Sequence, residues 1–296
     1  MQIFPDCLPC LLKQALDTAR AVTDNVELHE KIMHEAVKAL LEYKKYTCAP
    51  EMARAIHSSV KEITGVRDPF ADIKARDIDA ALKANPYLDH FLKMKQNDLY
   101  WALKISATGN IIDSAIYNNI DLESCLEAEL EKKFKICDLE LFEKKLETAE
   151  NLLIIGDNAG ETVFDRILAK RLSGCKITYG VRSGPIINDA TADDAFASGL
   201  SDCTRIVSTG CDAPGAILEE CSAEFMDIFN NADIVISKGQ GNFEALSDSG
   251  RQLFFLLKAK CPMIAGRFGV DLNDYIFKCN KTSIDTHDTH DEKRLI

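Results

Sequence analysis

From residue 151 onward the chain alternates between two rhythms, and that alternation constrains its fold more than any other feature. Short apolar runs of strand length fall at Leu152–Ile155, Ile177–Val181, Arg205–Ser208, Ile234–Ser237, Leu253–Leu257 and Met263–Ala265. Between them, apolar residues recur at helical spacing over Glu161–Leu172, from near Thr191, and over Pro214–Asn230. Strands alternating with helices predict a largely parallel sheet covered on both faces. Before residue 151 the pattern is helical. Leu8, Leu11, Leu12, Ala15, Leu16 and Ala19 share one face, and further stripes run over Val26–Tyr43, Pro50–Ile63, Ile73–Met94, Leu99–Ala107 and Leu139–Ala149. Breaks are expected at Thr64-Gly65, Asn85-Pro86 and Thr108-Gly109-Asn110. The expected organisation is α/β: a helical region over 1–148, an α/β domain over 149–280 and a polar tail over 281–296.

Charge narrows the choice of partners. A formal net charge of −12 argues against a nucleic-acid or anionic-membrane binder, which needs a basic patch. No uncharged apolar stretch approaches the ~20 residues of a transmembrane helix. The start, Met1-Gln2-Ile3-Phe4-Pro5-Asp6, lacks the regions of a secretory signal, so the expected location is cytoplasmic. Nothing in the pattern indicates an oligomeric state.

In an open α/β sheet, ligands bind outside the carboxyl ends of the strands. The segment after Leu152–Ile155 brings Asp157 and Asn158, with Gly160 and Glu161 behind them. The one after Ile177–Val181 brings Asn188 and Asp189, and that after Ile234–Ser237 brings Lys238, Gly239, Gly241, Asn242 and Glu244. Each motif alone also reads as a turn or a helix cap. Together they read as one metal–anion site. Carboxylate and amide oxygens without a nearby His or Cys favour Mg²⁺ or Mn²⁺ over zinc. Gly239 and Gly241 would let backbone N–H groups approach a phosphate, and Lys238 would add a mobile positive charge.

Cys7-Leu8-Pro9-Cys10 raises a separate possibility. Eleven cysteines, an odd number at scattered spacing, do not form a disulfide framework. The Cys7/Cys10 pair is either two partly buried thiols, a redox pair, or half of a structural zinc or iron site completed by Cys48 and His57.

The motifs "GDNAGE", "GPIINDAT" and "KGQGNFE", in this order and spacing, resemble the damage-control metal-dependent phosphatases. "ATGNIID" is similar to that family's Gly-Asn-hydrophobic-x-Asp element. "DPFADIK" and the early Cys-x-x-Cys resemble its cysteine-bearing, prokaryotic-type branch. The resemblance spans residues 7 to about 245. It implies a helical region packed on a Rossmann-like three-layer α/β domain, and hydrolysis of phosphate monoesters on small, damaged or surplus metabolites. It implies Asp157, Asn158 and Asp189 as ligands of a divalent cation (Mn²⁺, Mg²⁺, Ni²⁺ or Co²⁺) and Lys238 as the phosphate contact. Asn110, Asp113, Glu161 and Gly241 would line the site, with Asp113 or Glu161 positioning a water; a phosphoenzyme on Asp157 is the secondary route. Two rivals stand beside it. One is a nucleotide- or S-adenosylmethionine-binding Rossmann-type enzyme such as a methyltransferase, although the second strand ends in Arg182 rather than in a ribose-gripping acid. The other is a non-catalytic protein that binds a phosphorylated metabolite.

Overall fold

The computed structural model describes residues 1–96, 98–109 and 122–280. Among the described residues six α-helices come first: α1 (Cys7–Val22), α2 (Val26–Leu41), α3 (Ala49–Thr64), α4 (Ala71–Lys93), α5 (Asp98–Thr108) and α6 (Leu122–Glu131). Their ends follow local chemistry. The Asn25 side chain accepts the N–H groups of Glu27 and Leu28 at the start of α2, and α3 stops at Gly65, whose φ of 71° suits glycine. The chain continues through β1 (Phe134–Cys137), α7 (Leu139–Leu146), β2 (Asn151–Ile155), α8 (Glu161–Arg171), β3 (Lys176–Val181), α9 (Ala192–Ala197) and β4 (Arg205–Ser208). It ends with α10 (Ala223–Asn231), β5 (Ile234–Lys238), α11 (Gln240–Leu246), β6 (Phe254–Lys258), α12 (Pro262–Phe268) and β7 (Tyr275–Cys279).

The strands form one seven-stranded sheet in the order β1-β7-β6-β5-β2-β3-β4. The pairs from β6 to β4 are parallel, and β7 runs antiparallel to β6. Leu152 and Ile154 of β2 enter the core on one face with Leu168 and Ala169 of α8, Phe142 of α7 and Leu103 of α5. Leu153 and Ile155 enter the opposite core with Phe225 and Phe229 of α10, Phe243 of α11 and Ile264 of α12. A strand buried on both faces has no polar alternation, which is why β2 reads as a continuous apolar run. The result is a three-layer α/β/α sandwich. The N-terminal helices α1, α2 and α3 share a smaller core around Leu11, Ala15, Met52 and Ile56. No helix among the described residues is long and apolar enough to cross a membrane.

Four expectations about the elements need correction. Met263–Ala265 lies in α12, not in a strand: Pro262 opens that helix, where its missing N–H costs nothing. The break at Asn85-Pro86 is absent, because α4 runs through Pro86 and holds Leu88 and Leu92 in a core with α8. Helix over Pro214–Asn230 is confined to α10 and a single 3₁₀ turn at Leu218–Glu220. The strands β1 and β7 are not expected from the sequence: β1 is only four residues long and β7, YIFKC, is apolar on both faces.

Strand order fixes where a crevice can open. From β2 the chain moves outward to β3 and β4, then returns across the sheet to β5 and β6. The switch point lies between β2 and β5, where consecutive loops part in opposite directions.

Candidate functional site

Two loops are zipped together at that switch point. Ala190 N–H donates to the Asp157 carbonyl at 2.8 Å and Ala159 N–H to the Asn188 carbonyl at 2.8 Å, and Asn158 and Asp189 form an isolated antiparallel bridge. Asp157 and Asn158 after β2 are thereby set beside Asp189 after β3. Ile187, in the second loop, has φ 45°, a left-handed conformation that is costly for a β-branched residue. Across the switch point, Gly239 follows β5 at φ 79°, and a Cβ there would lie 2.0 Å from Asp157 Oδ2. Gly239→Ala is therefore expected to lower stability by about 1–3 kcal/mol, the range for a strained backbone position. A thermal midpoint equal to wild type would count against the close approach.

The loops border a cavity of about 550 Å³, which Asp157, Asn158, Glu161, Asp189, Lys258 and Lys260 help to line. Beneath its floor runs a buried polar chain. Glu161 Oε1 accepts from Asn158 Nδ2 at 3.0 Å, and Glu161 Oε2 accepts from Lys238 Nζ at 2.8 Å. Lys238 Nζ also donates to Asp165 Oδ1 at 2.6 Å and to the Ser106 carbonyl at 2.9 Å. Ser106 Oγ and the Tyr179 hydroxyl donate to Asp165 in turn. On the other side Arg182 Nε donates to Asp189 Oδ2 at 2.8 Å.

Burial dominates the electrostatics. It pushes the Asp157 carboxyl well above the usual range, and repulsion from Glu161 and Asp189 adds to this. Burial raises Asp189 as well, with Arg182 pulling the other way. For Lys238 burial opposes the ammonium, yet the carboxylates of Asp165 and Glu161 outweigh it and keep the group protonated.

The residues singled out by sequence fall into three groups. Asp157, Asn158, Glu161, Asp189 and Gly241 all line the cavity. Lys238, Gly239 and Asn242 do not appear on its wall and instead support it. Lys238 is 1 % exposed with its three N–H bonds committed. Gly239 N–H is spent on Leu256 O in the sheet. The Asn242 amide accepts from Ala216 N–H and Arg182 and donates to Gly156 O and Lys238 O. Gly241 has a packing role too, since a Cβ on it would lie 1.9 Å from Pro214 O. Asn110 and Asp113 lie outside the described residues.

The four-ligand set Cys7, Cys10, Cys48 and His57 is not assembled. Cys48 shares a small core with Cys211, and His57 is buried with Nε2 unpartnered among the described residues, its pKa drawn down to about 4 by burial and by the Lys61 charge. Cys7 and Cys10 face the cavity, where Cys261 and Glu244 are their charged or ionisable neighbours. Among the described residues no three His, Cys, Asp or Glu side chains converge as a ready-made metal cage. The oxygen set at the cavity floor is smaller, two carboxylates and an amide, which leaves room for the waters and substrate oxygens that Mg²⁺ and Mn²⁺ retain.

Sequence reasoning missed Asp165, Arg182 as the Asp189 partner, Lys258 and Lys260. Asp165 carried a signal: it stands four residues after Glu161 on one helix and so on the same face. "DPFADIK" has a structural use, since buried Lys74 bonds Asp68 at 2.8 Å and Asp194 of the α9 capping box at 2.9 Å.

Comparison with known proteins places these features in a family. The damage-control phosphatase ARMT1-like domain matches residues 3–276. A damage-control phosphatase of Pyrococcus horikoshii is 35% identical over 288 residues, covering 95% of this chain and 99% of the relative. One of Archaeoglobus fulgidus is 33% identical over 287 residues, covering 94% and 99%. A crystal structure of a DUF89-family protein from Pyrococcus horikoshii superimposes with a TM-score of 0.87 at 32% identity, covering 95% of this chain and all of that one. Two relatives that match nearly the whole chain are named damage-control phosphatases, the family's domain matches residues 3–276, and the chain belongs to the damage-control phosphatase family with the ARMT1-like domain.

Proposed function

We propose that the chain hydrolyses phosphate monoesters of small metabolites with the help of a divalent cation. The observation that carries this reading is the meeting of Asp157, Asn158 and Asp189 on one cavity wall, where burial and the neighbouring Glu161 and Asp189 carboxylates press on Asp157. Like charges brought together in a largely buried place are costly unless a cation joins them. A divalent cation would do so, held by Asp157, Asn158 and Asp189 with oxygen donors alone. Such donors suit Mg²⁺ and Mn²⁺, and the general affinity order admits Co²⁺ and Ni²⁺.

When bound, the cation would supply charge neutralisation at phosphoryl oxygens and acidity to an attacking water. The chain supplies orientation and further charge. Glu161, anchored by Asn158 and Lys238, presents its carboxylate at the cavity wall to align a water. Exposed Lys260 has no carboxylate partner among the described residues, and its charge acts on both Asp157 and Asp189. It is the cation best placed to meet a phosphate, with Lys258 beside it. The assignment of that contact thus moves from Lys238, which serves beneath the floor. A cavity of about 550 Å³ suits a small organic phosphate.

A nucleotide- or S-adenosylmethionine-binding reading finds less support, since β3 is followed by Arg182, buried and paired with Asp189, rather than by a ribose-gripping acid. Phosphate release should be measured over a panel of sugar, nucleotide and cofactor phosphates with Mg²⁺, Mn²⁺, Co²⁺ and Ni²⁺ varied in parallel. The expected result is turnover of at least one phosphomonoester that excess EDTA abolishes and added metal restores. Full activity in EDTA, with metal content shown to be negligible, overturns the cation requirement; no turnover of any ester overturns the hydrolase.

A further inference from the structure

Beneath the cavity lies one carboxylate that touches neither the cavity nor the proposed ligands. Asp165 is completely buried on α8, one turn beyond Glu161, and Lys238 Nζ stands between the two, 2.8 Å from Glu161 and 2.6 Å from Asp165. Two neutral donors fix Asp165 from other elements, Ser106 Oγ at 2.5 Å and the Tyr179 hydroxyl at 2.6 Å. Lys238 is thereby held in place between the two carboxylates, and it in turn fixes Glu161 Oε2 at the cavity wall. The other oxygen, Glu161 Oε1, accepts from Asn158 Nδ2 at 3.0 Å. An amide has its nitrogen on one side and its oxygen on the other, so this bond turns the Asn158 carbonyl oxygen away from Glu161.

We propose that Asp165 is a positioning residue for the cation site: it anchors Lys238, and through Lys238 it fixes Glu161 and the Asn158 amide so that charge and a carbonyl oxygen are presented to the metal. The inference rests on the divalent-cation reading above. A carboxylate that merely cross-links α5, β3 and β5 makes the same hydrogen bonds, so stability cannot separate the two roles. Affinity for the metal can.

Asp165→Asn keeps the side-chain shape and removes the charge. Mn²⁺ binding is measured on the substrate-free protein by electron paramagnetic resonance. Alongside it, kcat and KM for p-nitrophenyl phosphate are measured at saturating Mn²⁺, and melting is recorded in EDTA. The expected result is Mn²⁺ binding weaker by about tenfold and kcat lower by about tenfold, the scale for outer partners of metal ligands, with KM changed less than about threefold. Wild-type Mn²⁺ affinity in folded Asp165→Asn, whatever its melting temperature, overturns the proposal and leaves the cation reading intact. Absence of Mn²⁺ binding to the wild type overturns that reading, and this inference with it. Should Asp165→Asn not fold, the double variant Ser106→Ala with Tyr179→Phe removes both neutral donors and frees the carboxylate. Its Mn²⁺ affinity is expected to fall by about threefold, and an unchanged affinity overturns the proposal.

Discussion

Replacing Asp157 with alanine is expected to lower kcat/KM by about 10³, the consequence of losing several kcal/mol of cation-derived charge stabilisation. The paired variant Asp157→Asn separates function from stability. In EDTA the wild-type carboxylate sits largely buried near Glu161 and Asp189, and burial and their repulsion outweigh the attraction of Lys260 and Arg182. The neutral amide relieves that repulsion, so Asp157→Asn is expected to melt above wild type in EDTA while losing most of the stabilisation that Mn²⁺ confers. Thermal melts with and without metal check both halves. A variant that melts below wild type in EDTA, or that gains as much from Mn²⁺, would show that Asp157 is not the strained ligand inferred here.

The second large effect lies away from the cavity. Lys104 on α5 is fully buried, its Nζ has no hydrogen-bond partner among the described residues, and it lies 3.0 Å from the Tyr275 ring centroid. Burial, with help from Lys258 and Lys132 and against the attraction of Glu129, draws its pKa down to about 7. In the unfolded chain the same group titrates near the ordinary value of about 10.4. Between those two values the unfolded state holds a proton that the native state lacks, so stability rises with pH across this window and is flat in this respect below it. Lys104→Met keeps the length and removes the amine. The expected gain is about 2–4 kcal/mol at pH 6–7, shrinking toward zero near pH 10.5, since each pKa unit is worth about 1.4 kcal/mol. Urea denaturation of both proteins at three pH values measures it. A loss of stability at pH 7 would mean that contact with the Tyr275 ring outweighs desolvation.

How much of this was legible in the sequence depends on whether a residue's role is set locally. The loops after β2 and β3 were readable because an acid or amide directly after an apolar run can only emerge at the sheet edge. Three of their residues, Asp157, Asn158 and Asp189, do line one cavity. Lys238 was read from the same rule, but its partners Asp165 and Ser106 come from α8 and α5, and only the packed structure shows its three N–H bonds consumed. Gly239 looked like a phosphate-cradling glycine and is one that makes room for a carboxylate. Met263–Ala265 misled because an apolar triplet has no measurable period, and Pro262 was the better signal. Tyr275–Cys279 was invisible for a related reason: its pairing with β6 and β1 is decided by distant strands rather than by its own pattern.

The order of the strands also governs when the site comes into being. Leu152 of β2 pairs with Ile234 of β5, so the crevice closes only after all the intervening chain has been laid down. Asp157 and Asp189 can meet early through the adjacent β2–β3 unit, while Gly239 and Lys238 arrive with a long-range pairing that pays its loop-closure entropy late. A cation held as proposed would need the finished crevice and would find no site before β5 has paired with β2. Its stabilisation would then be expected as slower unfolding rather than as faster folding, a latch on a completed fold.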